Sequence, residues 1–245
     1  MALLLSQVPA VVLAGGFGTR VRHLLSGLPK PMAPVAGRPF LEWVARYLGR
    51  QGVREIVISS GYKAPVAAQH FANAPVPGVS IRCVAEAEPL GTGGGFLHAA
   101  RACLASPAAW LVLNGDSLVF ADLSASARLL DEPETDGVIV GREVPDASRY
   151  GALAVGPHGT LAGFQEKRPG PGIINAGVYL LRSGLLRLFP QRAPLSFETE
   201  VFPALTSRNA CLKVQVVNAP FLDIGTPETL PQAESFIRHN LDQFL

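Results

Sequence analysis

Cysteine, methionine and tryptophan are rare in this chain, with three, two and two copies in 245 residues. Cys83, Cys103 and Cys211 stand far apart, with no CxxC pair and no nearby histidine cluster. That spacing excludes a zinc framework and a disulfide scaffold, and it fits a reducing, cytoplasmic setting. Cys83 and Cys103 sit in apolar contexts and are expected to be inert core thiols. Charge is also scarce, at 16% against 48% hydrophobic residues, which excludes disorder. A formal net charge of +2 gives no ground for a nucleic-acid partner or an anionic membrane. No apolar run reaches transmembrane length. The apolar start, Met1 to Val12, has no basic region and no cleavage site, so it is expected to lead into a first strand. His23, His70, His98, His158 and His239 are scattered without metal or triad spacing, and Ser117 lies in no nucleophile elbow.

Two familiar phosphate loops are missing as well. The dinucleotide fingerprint needs a third glycine where Val21 stands, and the ATPase loop needs a Gly-Lys pair that occurs nowhere. What is present is Val11-Val12-Leu13-Ala14 running into Gly15-Gly16-Phe17-Gly18-Thr19-Arg20, then Pro29-Lys30-Pro31-Met32. Glycines there let backbone N–H groups close around a polyphosphate. Arg20 offers a planar fork of donors for phosphate oxygens, and Lys30 a second fixed positive charge. The pattern reads as a nucleoside triphosphate site at the edge of an α/β sheet.

Strand and helix signals alternate through the first half. Strands are expected at 11–14, 55–59, 80–85 and 109–113, and helices at 40–51, 64–71 and 93–104. This order implies a mostly parallel sheet covered on both faces, a Rossmann-like three-layer α/β/α arrangement. Ligands in such sheets bind beyond the carboxyl ends of the strands. The glycine loop, the Glu86–Gly93 loop and Asp116 all fall there. In the second half, strands at 137–144, 151–155, 160–165 and 177–181 lie close together, as antiparallel additions would, and a helix is expected over 230–241. Length and the absence of a linker suggest one domain over 1–245.

Several polar residues stand out against apolar surroundings. Asp116 ends an apolar strand and Asp223 interrupts Phe221-Leu222-Asp223-Ile224. Two such carboxylates meeting would suit Mg²⁺, which takes one or two carboxylates plus phosphate oxygens. Asp223 could equally be an N-cap or be satisfied by backbone donors. In Glu86-Ala87-Glu88-Pro89-Leu90-Gly91, a carboxylate can accept from two guanine donors where uracil offers one. Glu86 or Glu88 is the candidate reader, and spacing favours Glu86. Glu166 and Lys167 alternate across a strand end and need separate partners. Lys167 could meet an acceptor phosphate, and Glu166 and Asn175 sugar hydroxyls.

The segments GGFGTR, LPKPMAPVAGRPFLEW, EPLGTGGG, LNGDS, SRYGAL, FQEK, INAGVYLL, SFE and FLDIGTPE together resemble the sugar-1-phosphate nucleotidylyltransferases, from Val11 to about Phe236. The combination LPKPMAPV, SRYG, SFE and DIGTPE leans toward the branch that uses D-glycero-α-D-manno-heptose 1-phosphate and GTP. That resemblance implies GDP-heptose and pyrophosphate as products, of the kind consumed in bacterial surface polysaccharide synthesis (capsule, S-layer glycan or lipopolysaccharide). Mannose 1-phosphate or another sugar phosphate is the neighbouring reading, and a non-catalytic nucleotide-sugar sensor the non-enzymatic one. The resemblance further implies a nucleotide site of Leu13, Ala14, Gly15, Gly16, Gly18, Thr19, Glu86, Gly91 and Asp116. Arg20, Lys30 and Lys167 would serve the transfer, with about 1–130 forming a nucleotide-binding half and about 131–245 a sugar-phosphate-binding half. Gly151, Glu166, Lys167, Asn175 and Glu198 would hold the sugar phosphate, with Mg²⁺ on Asp116 and Asp223. The pattern leaves the oligomeric state, a homodimer included, open.

Overall fold

The computed structural model describes residues 2–103, 106–165 and 169–244. Strand β1 (Ala10–Ala14) is almost wholly buried, as its unbroken apolar run requires of a strand covered on both faces. A short ladder of β2 (Pro34–Val35) and β3 (Arg38–Pro39) leads into helix α1 (Phe40–Arg50). Helix α1 buries Phe40, Leu41, Val44, Tyr47 and Leu48 along one face, each contributing about 1.5–3 kcal/mol. It stops at Gly52, whose φ of +98° suits a residue without Cβ. Then follow β4 (Glu55–Ser60), α2 (Ala64–Asn73), β5 (Ser80–Ala85), α3 (Gly91–Arg101) and β6 (Ala109–Asn114). β1 lies between β4 and β6, and β4 pairs with β5, all parallel. The chain therefore runs outward from β1 on one side and restarts on the other. The crevice at that switch point is where open α/β sheets bind ligands.

The remaining elements are β7 (Ser117–Val119), α4 (Leu123–Asp131), β8 (Gly137–Val144), β9 (Ala152–Val155), β10 (Leu161–Gln165) and β11 (Gly172–Arg182), followed by α5 (Phe202–Ser207), β12 (Leu212–Val217), β13 (Phe221–Asp223) and α6 (Ala233–His239). β11 runs antiparallel to β6, β8 and β9, and β9 antiparallel to β10, as expected of the second half. The nine-stranded sheet is completed by β12, parallel to β8. Side chains alternate to two faces: Val12, Ile58, Leu113 and Leu180 join α1, α2, α4 and α6 in one core, while Val11, Val57, Val112 and Tyr179 join α3 and α5 in the other. This is the three-layer arrangement the alternation implied.

β11, α4 and β12 are among the elements that depart from the sequence reading. β11 starts at Gly172, five residues before the apolar run, because its first part pairs with β8 and β9 rather than the core sheet strand β6. α4 was hidden in a loop-like stretch, although Asp122 caps it by accepting from Ser124 N at 2.9 Å. β12 joins the sheet beside β8 over the alternating stretch Leu212–Val217, to which the sequence reading gave no element. Cys83 is half-buried, and burial pushes its thiol up to about 11, in keeping with an inert side chain.

Candidate active site

The loop after β1 is shaped by close backbone approaches. A Cβ on Gly61 would lie 2.3 Å from Gly15 O, and one on Gly15 would lie 2.4 Å from Glu86 Oε1. Gly61 is therefore needed for the strand ends to crowd together, and Gly15 must lack a side chain for the Glu86 carboxylate to keep its place. Gly18 has φ of +60°, and a Cβ there would meet Lys30 Cβ at 2.8 Å. Gly115 N donates to Leu13 O at 2.8 Å and ties the end of β6 to β1. The result is a cavity of about 280 Å³ lined by Leu13, Gly15, Gly16, Glu86, Gly91 and Asp116 among others. Ala14 is buried and faces Pro29, Pro31 and Met32 on the far side of the strand. Gly18, Thr19 and Arg20 flank the cavity rather than line it.

Glu86 is fixed before any ligand arrives. Its Oε1 accepts from Ser59 Oγ at 2.8 Å and its Oε2 from Leu90 N at 3.3 Å. Ser59 is fully buried at the end of β4. Two of the four lone-pair positions of the carboxylate thus stay open to the cavity. Glu88 is exposed and does not line it. Gly91 has φ of +73°, and a Cβ there would strike Leu195 O at 2.5 Å, so its conformation also serves packing of the 195–197 segment on α3.

At the mouth of the cavity Lys30 Nζ donates to Asp116 Oδ2. The β7–β13 pair sets Asp223 opposite Ser117, and Ile224 N donates to Asp116 O at 3.0 Å. Asp116 and Asp223 are thereby brought side by side. Burial, and then the charge of Asp116, raise the Asp223 carboxyl above the usual carboxylate range, opposed by Gly225 N, Lys30 and Arg20. Gly225 N donates to Asp223 Oδ1 at 2.7 Å, so the backbone-donor reading of this residue also holds. The Arg20 guanidinium lies alongside: a Cβ on Gly225 would sit 3.4 Å from Arg20 Nη2. Among the described residues no group of three or more His, Cys, Asp or Glu is arranged to hold a metal, so a cation here would rest on two carboxylates and its substrate.

A second cavity of about 390 Å³ adjoins the first, and Asn114 lines both. It contains Gly151, Asn175 and Glu198, three of the residues expected to meet a sugar, together with Tyr150, Phe164 and Gln165. Glu198 Oε2 accepts from Ser196 Oγ at 2.9 Å and from Thr92 Oγ1 at 3.2 Å, while its Oε1 accepts from the Tyr179 hydroxyl at 3.2 Å. Glu166 and Lys167 directly follow Gln165 but lie outside the described residues. Tyr150 packs edge-on against Phe221, and burial with the Asp223 charge raises its phenol. Arg149 Nη2 donates to Thr226 Oγ1 at 3.0 Å, joining the SRYG and DIGTPE segments. Sequence reasoning missed Ser59, Gly61, Asn114 and Tyr150. Of these only Gly61, a glycine just after a β-branched strand, carried a local signal.

The model of the family described as nucleotidyl transferase matches residues 9–240. The chain belongs to this family. It is 36% identical to a mannose-1-phosphate guanylyltransferase of Mycobacterium tuberculosis over 96% of its own length, and spans 64% of that relative. It is 34% identical to a D-glycero-alpha-D-manno-heptose 1-phosphate guanylyltransferase of Campylobacter jejuni, covering 89% of this chain and 95% of the other. A crystal structure of HddC from Yersinia pseudotuberculosis complexed with GMP-PN superposes with a TM-score of 0.82 at 34% identity, covering 93% and 98% of the two chains. The three-layer α/β/α fold implied by the strand order is therefore present, in the nucleotidyltransferase form that the motif resemblance implied. No helix among the described residues is long and apolar enough to cross a membrane.

Proposed function

We propose that the protein transfers a guanylyl group from GTP to D-glycero-α-D-manno-heptose 1-phosphate, giving GDP-heptose and pyrophosphate. The observation that carries this reading is the pair of cavities meeting at Asn114, with the Lys30–Asp116 and Asp223 charges at the mouth of the first. The base would enter the glycine-walled cavity and present its donors to Glu86. The sugar would occupy the second, between Asn175 and Glu198. An oxygen of the sugar phosphate attacks the α-phosphorus in line; the bond from that phosphorus to the bridging oxygen breaks, and pyrophosphate leaves. The attacking phosphate is already an anion, so no protein nucleophile or base is required. Catalysis is then positioning and charge neutralisation. Arg20 and the backbone of Gly15 to Thr19 hold the triphosphate, Lys30 neutralises charge beside Asp116, and Lys167 receives the acceptor phosphate.

The donor set of Asp116 and Asp223 fits Mg²⁺. Burial, and then the charge of Asp116, raise the Asp223 carboxyl, and a divalent cation between the two would offset both effects. When bound, Mg²⁺ supplies positive charge against phosphate oxygens. Residues up to about 130 would serve the nucleotide and the rest the sugar phosphate.

A second reading, mannose 1-phosphate as acceptor, is favoured by the 36% identity to the mycobacterial relative. Pyrophosphate release from GTP, ATP, UTP, CTP and dTTP against heptose, mannose, glucose and N-acetylglucosamine 1-phosphates separates them. A dominant GTP–heptose signal supports the proposal. A dominant GTP–mannose signal transfers it to the second reading, and silence from folded protein points to a sensor.

A further inference from the structure

Two of the polar side chains that line the second cavity, Asn175 and Glu198, are not held independently. Tyr179, four residues after Asn175 in β11, is fully buried and lines neither cavity. Its ring packs on Phe197 at 5.1 Å and Phe202 at 4.9 Å. Its hydroxyl accepts from Asn175 Nδ2 at 2.8 Å and donates to Glu198 Oε1 at 3.2 Å. A phenol has a single proton, and the carboxylate can only accept. The proton therefore points to Glu198, and the amide must turn its N–H toward the phenol. The other end of the amide agrees, because Asn175 Oδ1 accepts from Gly177 N at 3.0 Å. With Ser196 Oγ and Thr92 Oγ1 on Oε2, three of the carboxylate's four lone-pair positions are taken. One acceptor on Glu198 and one N–H on Asn175 remain for a ligand.

We propose that Tyr179 is a positioning residue that determines sugar specificity: its hydroxyl orients Glu198 and Asn175 so that the cavity offers one carboxylate acceptor and one amide donor to neighbouring hydroxyls of a sugar 1-phosphate. This rests on the reading of the second cavity as the sugar subsite. Buried networks of this kind hold their members in a single arrangement because every broken link leaves an unpaired polar group. The outer link, Thr92, also lines the nucleotide cavity, so the network spans both subsites.

The test is Tyr179→Phe, which keeps the ring packing and removes only the hydroxyl. The ratio of kcat/KM for the preferred sugar 1-phosphate to that for glucose 1-phosphate is measured by pyrophosphate release. A loss of positioning should lower that ratio on the order of 10- to 100-fold, mostly through KM for the sugar phosphate. KM for GTP should move less than about twofold, because the hydroxyl lies outside the nucleotide cavity. A hydroxyl with a merely structural role would lower Tm and slow all sugars equally, and an unchanged ratio overturns the proposal. Should Tyr179→Phe fail to fold, Thr92→Val removes a different donor to the same carboxylate, and its sugar ratio is read by the same criterion. Wild-type protein silent toward every sugar 1-phosphate refutes the subsite reading and this inference with it. An active wild type with an unchanged variant ratio refutes the inference alone.

Discussion

Replacing Glu86 by glutamine tests the base site most directly. Glu86 is held by Ser59 Oγ on Oε1 and Leu90 N on Oε2, with one lone pair of each oxygen open to the cavity. Guanine presents N1–H and the 2-amino group side by side, so the carboxylate can accept both as charge-assisted bonds. A glutamine at this position must keep its oxygen on Leu90 N, since that N–H needs an acceptor, and turn its NH₂ toward Ser59 Oγ. The ligand then meets one neutral acceptor and one donor. One guanine bond is lost and the other loses its charge. Hydrogen bonds to charged groups contribute about 1.5–3 kcal/mol each, so the change costs about 3 kcal/mol, or roughly 10²-fold in kcat/KM for GTP. Uracil pairs a donor with an acceptor and matches an amide well, so UTP should lose nothing. The GTP-to-UTP ratio in a pyrophosphate-release assay should therefore fall by about 10² or more. An unchanged ratio in Glu86→Gln, with a collapse in Glu88→Gln, would show that the exposed residue reads the base and that the argument from the cavity is wrong.

Three further predictions follow from the charged groups and the loop. Arg20→Ala should lower kcat by about 10²–10³, or about 2.7–4 kcal/mol, while circular dichroism melts stay near wild type because the side chain is exposed; near-normal turnover would remove Arg20 from the transfer step. Because the folded Asp223 carboxyl is raised, the native state holds its proton more tightly than the unfolded chain. Its contribution to stability therefore falls as pH rises from the unfolded value through the raised folded one. Asp223→Asn should melt at or above wild type at pH 7 without divalent ions, lose that advantage below about pH 4, and show no Tm rise on adding Mg²⁺ with GTP where wild type does. An equal Mg²⁺-dependent rise in both proteins would exclude Asp223 as a ligand. Gly61→Ala puts a Cβ 2.3 Å from Gly15 O. It should cost about 1–3 kcal/mol in urea unfolding and raise KM for GTP; a variant with unchanged stability and KM would show the loop to be more pliant than its packing implies.

How much was legible depends on whether a property is local. The β1 run, the glycine loop, the helical spacing of α1 and the strand alternation are local, and they determined a parallel α/β sheet with a ligand site at strand ends. Asp116 and Asp223 stood out because a lone carboxylate in an apolar run needs a partner, and the β7–β13 pair brings them together. Glu86 could not be separated from Glu88 by composition, since both are glutamates in one loop. The bond from Ser59 on the neighbouring strand β4, with a local one from Leu90 N, distinguishes them. Asn114 looked like the end of an apolar strand until two cavities met at its side chain.

By itself the sequence determined the fold class and the set of charged residues that gather at the strand ends, because periodicity, glycine placement and isolated charges are written in neighbouring residues. Only the tertiary structure decided which glutamate faces the cavity, that Tyr179 links Asn175 to Glu198, and that Gly15 and Gly61 must both lack a side chain. Those relations join Tyr179 to Glu198, Ser59 to Glu86 and Gly15 to Gly61, which stand 19, 27 and 46 positions apart, and chain-distant groups acquire a geometry only when the sheet closes and burial obliges every polar atom to find its partner.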